Sequence, residues 1–136
     1  IGGCLQLGKN YDQFLDRIER FDFVDWRELP KKIQRCDINL MPLENTIFHA
    51  CKSENKWMEA ALVGVPTVAS RNTELELCML DRQNGFLCEE KEEWLQTLKM
   101  LIETPDERKR IGENAYEYCY KNKTTLTAEV SDSIWR

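Results

Sequence analysis

Apolar and polar residues alternate over Arg20–Trp26 (RFDFVDW), a period of two that predicts a short strand. A second strand is expected within Cys36–Pro42 (CDINLMP), carried by Ile38, Leu40 and Met41. Between them RELPKKIQR places Leu29 and Ile33 four apart, which predicts a short connecting helix with Pro30 near its start. The next helix is expected from Ser53 to Val63 and is closed by Gly64, after which Pro66 leads into the β-branched run Thr67-Val68-Ala69. RNTELELCMLD predicts a short helix, Asn84-Gly85 a turn, and FLC a last short strand. From Glu90 to Glu103 a helical face of Trp94, Leu95, Leu98, Leu101 and Ile102 is expected. Thr104-Pro105-Asp106-Glu107 then has capping-box grammar, so a new helix should start near Pro105 and bury Ile111, Ala115, Tyr118 and Cys119. Residues 1–123 form the expected domain, and 124–136, with Val130, Ile134 and Trp135, a tail or docking helix.

Strands alternating with helical patterns predict an α/β domain with a mostly parallel sheet and right-handed crossovers. Ligands of such sheets bind beyond the carboxyl ends of the strands, which directs attention to the segment after Met41.

With 136 residues the chain is long enough for one domain with a core and short for two. Its 42% hydrophobic and 32% charged residues are those of an ordinary globular protein, and no apolar run reaches the length of a membrane span. The net charge of −5 and the lack of a Lys/Arg tract argue against nucleic acid as a partner. Six cysteines (Cys4, Cys36, Cys51, Cys78, Cys88, Cys119) form no C-x-x-C pair, which argues against a metal site. Cys36, Cys78 and Cys88 sit beside apolar positions, as buried thiols of a cytoplasmic protein do. The opening Ile-Gly-Gly suggests a processed chain or a piece of a longer one.

Candidate chemistry concentrates in HACKSENKWMEAALVGVPTVAS, His49 to Ser70. On a helix Lys56 lies about 40° round the axis from Lys52 and Glu59 about 20° the other way, so the three share one stripe. Trp57, Ala60, Ala61 and Leu62 point elsewhere, so the helix should be largely buried with one charged edge. Ser53 is a natural N-cap, and the loop from Pro42 to Cys51 is long for a strand-to-helix connection. A helix start with Lys52 and Lys56 suits a phosphate, and Glu59 suits the two hydroxyls of a ribose. The plainer alternative is a surface pair of Lys56 with Glu59, worth a few tenths of a kcal/mol. His49, the only histidine, is either a sugar or proton contact or an ordinary loop side chain. Trp57 and Trp94 are core positions first, while Trp26 at a strand end remains a candidate for base stacking.

The order KSENKWMEAALVGVPTVAS, then NGFLC, then EEWLQTLKMLI resembles the carboxy-terminal domain of retaining glycosyltransferases of family 4, which have the two-domain GT-B fold. The resemblance runs from about Ile1 to Tyr120. It is most specific at Glu59-Ala60-Ala61 with Gly64-Val65-Pro66-Thr67-Val68-Ala69-Ser70. It implies a Rossmann-like three-layer αβα domain, the C-terminal half of a GT-B fold, that binds a nucleoside-diphosphate sugar and needs no metal ion. By resemblance Glu59 holds the ribose hydroxyls, and Lys52, Ser53 and Lys56 lie near the diphosphate. Val24–Arg27 passes beside the base, and Asn72 and Thr73 stand where the family's amides face the donor.

The family's second glutamate, eight residues before the first, is Cys51 here, and neither Glu44 nor Glu54 has that spacing. The resemblance therefore assigns no residue to the transferred sugar. It also implies an absent amino-terminal acceptor domain and an absent opening strand and helix, so the chain alone should be inactive. An exposed sheet edge of this kind favours pairing into a homodimer. Glycan assembly at the envelope, with the parent protein cytoplasmic or at the inner membrane face, is the commonest setting for such enzymes. Two other classes compete: a nucleotide-binding module that has lost transfer, and a receiver-like interaction domain. The latter wants several aspartates at strand ends, where only Asp37 is near.

Overall fold

In the computed structural model of the chain, residues 8–44, 46–50 and 53–126 are described, without the side chains of Lys9 and Ala50. The expected sequence of elements is present over most of this span. After a 3-10 helix (Lys9–Arg17) come α1 (Leu29–Ile33), β1 (Asn39–Met41), α2 (Ile47–Ala50), α3 (Asn55–Ala61) and β2 (Thr67–Ser70). They are followed by α4 (Thr73–Glu76), β3 (Phe86–Cys88), α5 (Lys91–Glu103) and α6 (Pro105–Lys123). The tail with Val130, Ile134 and Trp135 lies outside the described residues, as do Lys52, Cys51 and Cys4.

The three strands form a parallel sheet in the order β1-β2-β3, with Met41 beside Ala69 and Ala69 beside Leu87. That row faces one layer, formed by Trp57 and Ala61 of α3, Leu75 of α4, and Ala115 and Cys119 of α6. The alternate row, Val68, Phe86 and Cys88, faces Leu101 of α5 and Ile111 of α6. A sheet whose strands bury both rows reads as continuous apolar sequence, as FLC does. The domain is a Rossmann-like three-layer αβα unit. Among the described residues β1 is an edge strand, paired on one side only.

The turns follow from residue chemistry. Gly64 takes φ +74°, the left-handed conformation that ends α3 after Leu62 and Val63. In the turn before β3, Asn84 is buried, its Oδ1 accepting from Leu80 N at 2.7 Å and its Nδ2 donating to the Cys78 carbonyl.

Four expectations are corrected. Among the described residues Arg20–Trp26 is no continuous strand: Phe21 is in a single β-bridge, Phe23 is 96% exposed, and Asp25 turns the chain into α1. The Asp25 carboxylate accepts from Arg27 N at 2.8 Å and its carbonyl accepts from Glu28 N and Leu29 N, a local side-chain turn that outcompetes extension. On α5, Leu95 and Ile102 are 66% and 67% exposed, and Thr97 joins Trp94, Leu98 and Leu101 inside. The capping box belongs to Glu90 and Glu93 of α5, not to Thr104 and Glu107. Thr104 instead back-bonds to the Met100 carbonyl, and Glu107 is drawn to Arg110, whose Nε lies 2.8 Å away. Cys36 is exposed, whereas Cys78, Cys88 and Cys119 are buried.

Candidate functional site

The carboxyl ends of the strands are tied together locally. Leu43 N donates to Ser70 Oγ at 2.9 Å, joining the loop after β1 to the end of β2, and Arg71 N donates to the Cys88 carbonyl at 2.9 Å. Arg71 also donates to Glu76, Asp81 and the Leu87 carbonyl, and its hydrogen bond to Glu76 pushes its pKa up. This network braces the ends of β2 and β3. Beside it a cavity of about 220 Å³ is lined by Met41, Leu43, Ser53, Asn55 and Lys56. It lies where ligands of open α/β sheets bind.

Helix α3 forms one wall. Trp57, Ala60 and Ala61 are fully buried, but Leu62, expected with them, is 40% exposed because it caps the helix end, and Lys56 and Glu59 are exposed one turn apart. Trp57 locks the helix through an indole hydrogen bond to the Asn84 carbonyl at 3.2 Å. Asn39 Nδ2 adds a second tie, donating to the Lys56 carbonyl at 3.3 Å and to Thr67 Oγ1 at 3.0 Å. Neither Lys56 nor Glu59 makes an ion pair with a described residue. The surface pair that their spacing allows is therefore not formed, and both side chains are exposed.

Ser53 is not the N-cap of α3. The helix begins one residue later, with Glu54 at the N-cap and no side-chain capping bond, because the Glu54 carboxylate is taken by Lys123 at 2.8 Å. That hydrogen bond holds Glu54 below the usual carboxylate range and raises Lys123. A seven-residue helix with a carboxylate at its cap contributes little as an anion seat, so any phosphate attraction at this wall falls to lysine side chains.

His49 lies on α2 within the long loop, half-buried. Thr46 Oγ1 accepts from His49 N at 3.2 Å and stands 3.0 Å from Nδ1. Asn72 connects this loop to β2: its Nδ2 donates to the His49 carbonyl at 3.4 Å, while its Oδ1 caps α4 by accepting from Leu75 N at 2.8 Å. Thr73 is the first residue of α4. Trp26, expected at a strand end, is in a turn and 71% exposed, with the Arg27 guanidinium carbon 4.6 Å from its ring centroid. The structure thus gathers Ser53 and Lys56 at one cavity, sets Glu59 a turn away, and joins the His49 carbonyl to Asn72, with Thr73 next in sequence. Reading the sequence missed Asn55 and Leu43 as lining residues; their place after the N-cap and after β1 was the available signal.

A second, larger and more open groove of about 440 Å³ runs between α6 and the turn before β3, lined by residues including Gln83, Asn114, Tyr118 and Asn122. Two of its amides are occupied: Asn114 Nδ2 donates to the Gln83 carbonyl and Asn122 Nδ2 to the Tyr118 carbonyl. Size favours this groove, which Glu117 and Lys121 also line, but position at the sheet's carboxyl ends favours the smaller cavity. Among the described residues no three potential metal-ligating side chains converge, and no helix is long and apolar enough to cross a membrane.

The chain is 28% identical over 122 residues to the D-inositol 3-phosphate glycosyltransferase of Corynebacterium efficiens, covering 86% of this chain and 28% of that relative. In three dimensions it is similar to the C-terminal domain of a group 1 family glycosyl transferase (LpcC) of Francisella tularensis, with TM-score 0.64 and 22% identity. That match covers 86% of this chain and 62% of the other. It is also similar to Anabaena HepE, solved in complex with UDP and glucose, with TM-score 0.71, 19% identity and coverage of 85% and 30%. The chain spans less than a third of the length of the glycosyltransferase relative and of HepE. The likeness to the solved structures bears on the fold, and the Rossmann-like unit is that of a GT-B C-terminal domain. The model of the glycosyl transferase-like family matches residues 3–127, and the chain belongs to that family.

Proposed function

We propose that this chain is the donor-binding part of a retaining glycosyltransferase that uses a nucleoside-diphosphate sugar, with a uridine nucleotide as the first donor to test. The observation that carries this reading is the cavity at the carboxyl end of β1, with Lys56 on its wall and Glu59 one turn further, both without a described counter-ion. HepE, with the same fold, is solved with UDP and glucose, which supports the choice of nucleotide.

In this reading the Glu59 carboxylate accepts hydrogen bonds from the ribose hydroxyls. Lys56, joined by Lys52 and Ser53, faces the diphosphate. Trp26 offers a flat exposed ring to the base, and His49, Asn72 and Thr73 border the sugar side. During transfer the anomeric carbon–oxygen bond breaks with its electron pair moving to the diphosphate. The acceptor hydroxyl forms the new bond at the same face and gives its proton to the departing phosphate oxygen. Lysine charge stabilises the leaving group, and no metal ion is required. Water must be excluded by a second domain that holds the acceptor, so the chain alone binds donor without transferring sugar.

Cys51 at the position of the family's second glutamate supports a second reading, a nucleotide-binding module without transfer. Titration of the chain with UDP, GDP and ADP, alongside Glu59→Ala, tests the shared claim. Base-selective binding lost in the variant supports a donor site, and equal binding by the variant contradicts it. Sugar transfer by a protein containing this chain then separates the two readings.

A further inference from the structure

Glu54 and Glu59 stand five residues apart and have opposite surroundings. Glu59 is exposed without a described partner, whereas Glu54 is bound by Lys123 from the last turn of α6, 69 residues along the chain, at 2.8 Å. The side chains of this pair are only 24% and 30% exposed. Two lysine pairs on α5 and α6 are looser and far more exposed, Lys99 with Glu103 at 4.0 Å and Lys109 with Glu113 at 3.8 Å, and the short Arg110–Glu107 pair joins neighbours on one helix. Partial burial and a short contact make Glu54–Lys123 a defined link and not a solvated surface pair.

The place of Glu54 gives the link a consequence. Ser53, Asn55 and Lys56 line the cavity at the end of β1, and Glu54 does not. Its carboxylate instead meets Lys123 of α6, the helix that brings Ala115 and Cys119 to the core layer. The segment 53–56 thus turns three side chains to the cavity and one to α6. A free carboxylate at Glu54 would lie one residue from Ser53 and two from Lys56. There it would compete for the lysine and repel a diphosphate.

We infer that Lys123 is a positioning residue for donor binding: its ammonium group holds the Glu54 carboxylate on the α6 side, keeping a negative charge away from the cavity walled by Ser53, Asn55 and Lys56. This inference rests on the donor-binding reading above. Lys123 touches no ligand, and it acts through Glu54 alone. The charge that it neutralises is the only reason binding requires it, so removing that charge removes the requirement.

The test is UDP affinity, measured by calorimetric or NMR titration of the full chain as wild type, Lys123→Ala, Glu54→Gln, the double variant and Glu59→Ala. Lys123→Ala is expected to weaken UDP binding about tenfold, with steeper salt dependence. Glu54→Gln alone is expected to bind within about twofold of wild type, as is the double variant, because the neutral amide needs no ammonium partner. Wild-type affinity in Lys123→Ala overturns the inference, and so does a double variant as weak as Lys123→Ala. If Lys123→Ala does not fold, Glu54→Gln decides: near-wild-type binding supports the inference, and a large loss overturns it by making the carboxylate itself necessary. Absence of UDP binding in the wild type overturns the donor reading and this inference together. Binding that Glu59→Ala abolishes and Lys123→Ala leaves intact overturns this inference alone.

Discussion

The indole Nε1 of Trp57 donates to the backbone carbonyl of Asn84 at 3.2 Å, and both residues are buried. This bond fixes α3, which carries Lys56 and Glu59, to the turn that starts β3. Trp57 also lies against Tyr118 of α6, ring centroids 5.9 Å apart, so one side chain joins the site helix to two other elements. Trp57→Phe keeps an aromatic ring but leaves the Asn84 carbonyl unpaired beside a void. A loss of about 2–4 kcal/mol in urea unfolding is expected. A change below about 0.5 kcal/mol would show that the bond is not holding the helix.

Gly112 of α6 has no room for a side chain. A Cβ there would run into the backbone carbonyl of Gly64, where the left-handed turn closes α3, with Pro66 Cδ close behind. Alanine is the better helix former by about 1 kcal/mol. Overpacking backbone against backbone costs about 1–3 kcal/mol and wins. Gly112→Ala is therefore expected to lower the unfolding free energy from urea titration, while Glu113→Ala on the exposed side leaves it within about 0.5 kcal/mol.

Burial pushes the thiols of Cys78 and Cys88 up and that of Cys119 up to about 12. A thiol kept neutral resists alkylation. Native-state iodoacetamide labelling followed by peptide mass spectrometry should modify exposed Cys36 quickly and these three only on unfolding. Because the folded value of Cys119 is raised, its contribution to stability is complete below the unfolded thiol value, about 8.5, and is lost as pH rises towards 12. Alkaline unfolding should accordingly begin above about pH 9 and be delayed in Cys119→Ala relative to its own neutral stability.

At the acid end the sign reverses. The hydrogen bond from Lys123 lowers Glu54, so the pair contributes fully above the unfolded carboxylate value, about 4.3, and less as pH falls through the lowered folded value. Glu93, accepting from the backbone N–H groups of Glu89 and Glu90, shifts the same way. Thermal midpoints measured from pH 6 down to 2 should fall less steeply in Glu54→Gln than in wild type. Parallel curves would mean that the pair carries no linkage.

Much of the architecture was legible because local chemistry and tertiary packing agree. TVAS and FLC carry no charge and become strands buried on both sides over Thr67–Ala69 and Phe86–Cys88, and Gly64 and Pro66 punctuate the crossover between α3 and β2. The failures mark positions where a side chain had two competing partners. Asp25 bonds the backbone just after it and ends RFDFVDW in a turn, Glu107 goes to Arg110 instead of completing a box, and Glu54 goes to a lysine 69 residues away. No periodicity reports such a choice. At the site, helical spacing foretold Lys56 and Glu59 as an exposed edge, since only residue order is needed for that. The lining role of Leu43 and Asn55 depends on how the loop after β1 folds back onto Ser70, which order does not specify.

The central claim is that the cavity at the end of β1, and not the larger groove along α6, receives the nucleotide. Chemical-shift mapping of the 15N-labelled chain with UDP tests it most directly. The account predicts saturable shifts at Ser53, Asn55, Lys56 and Glu59, with Gln83, Asn114 and Asn122 unmoved. Shifts confined to those three groove residues, or none at millimolar UDP, would contradict it.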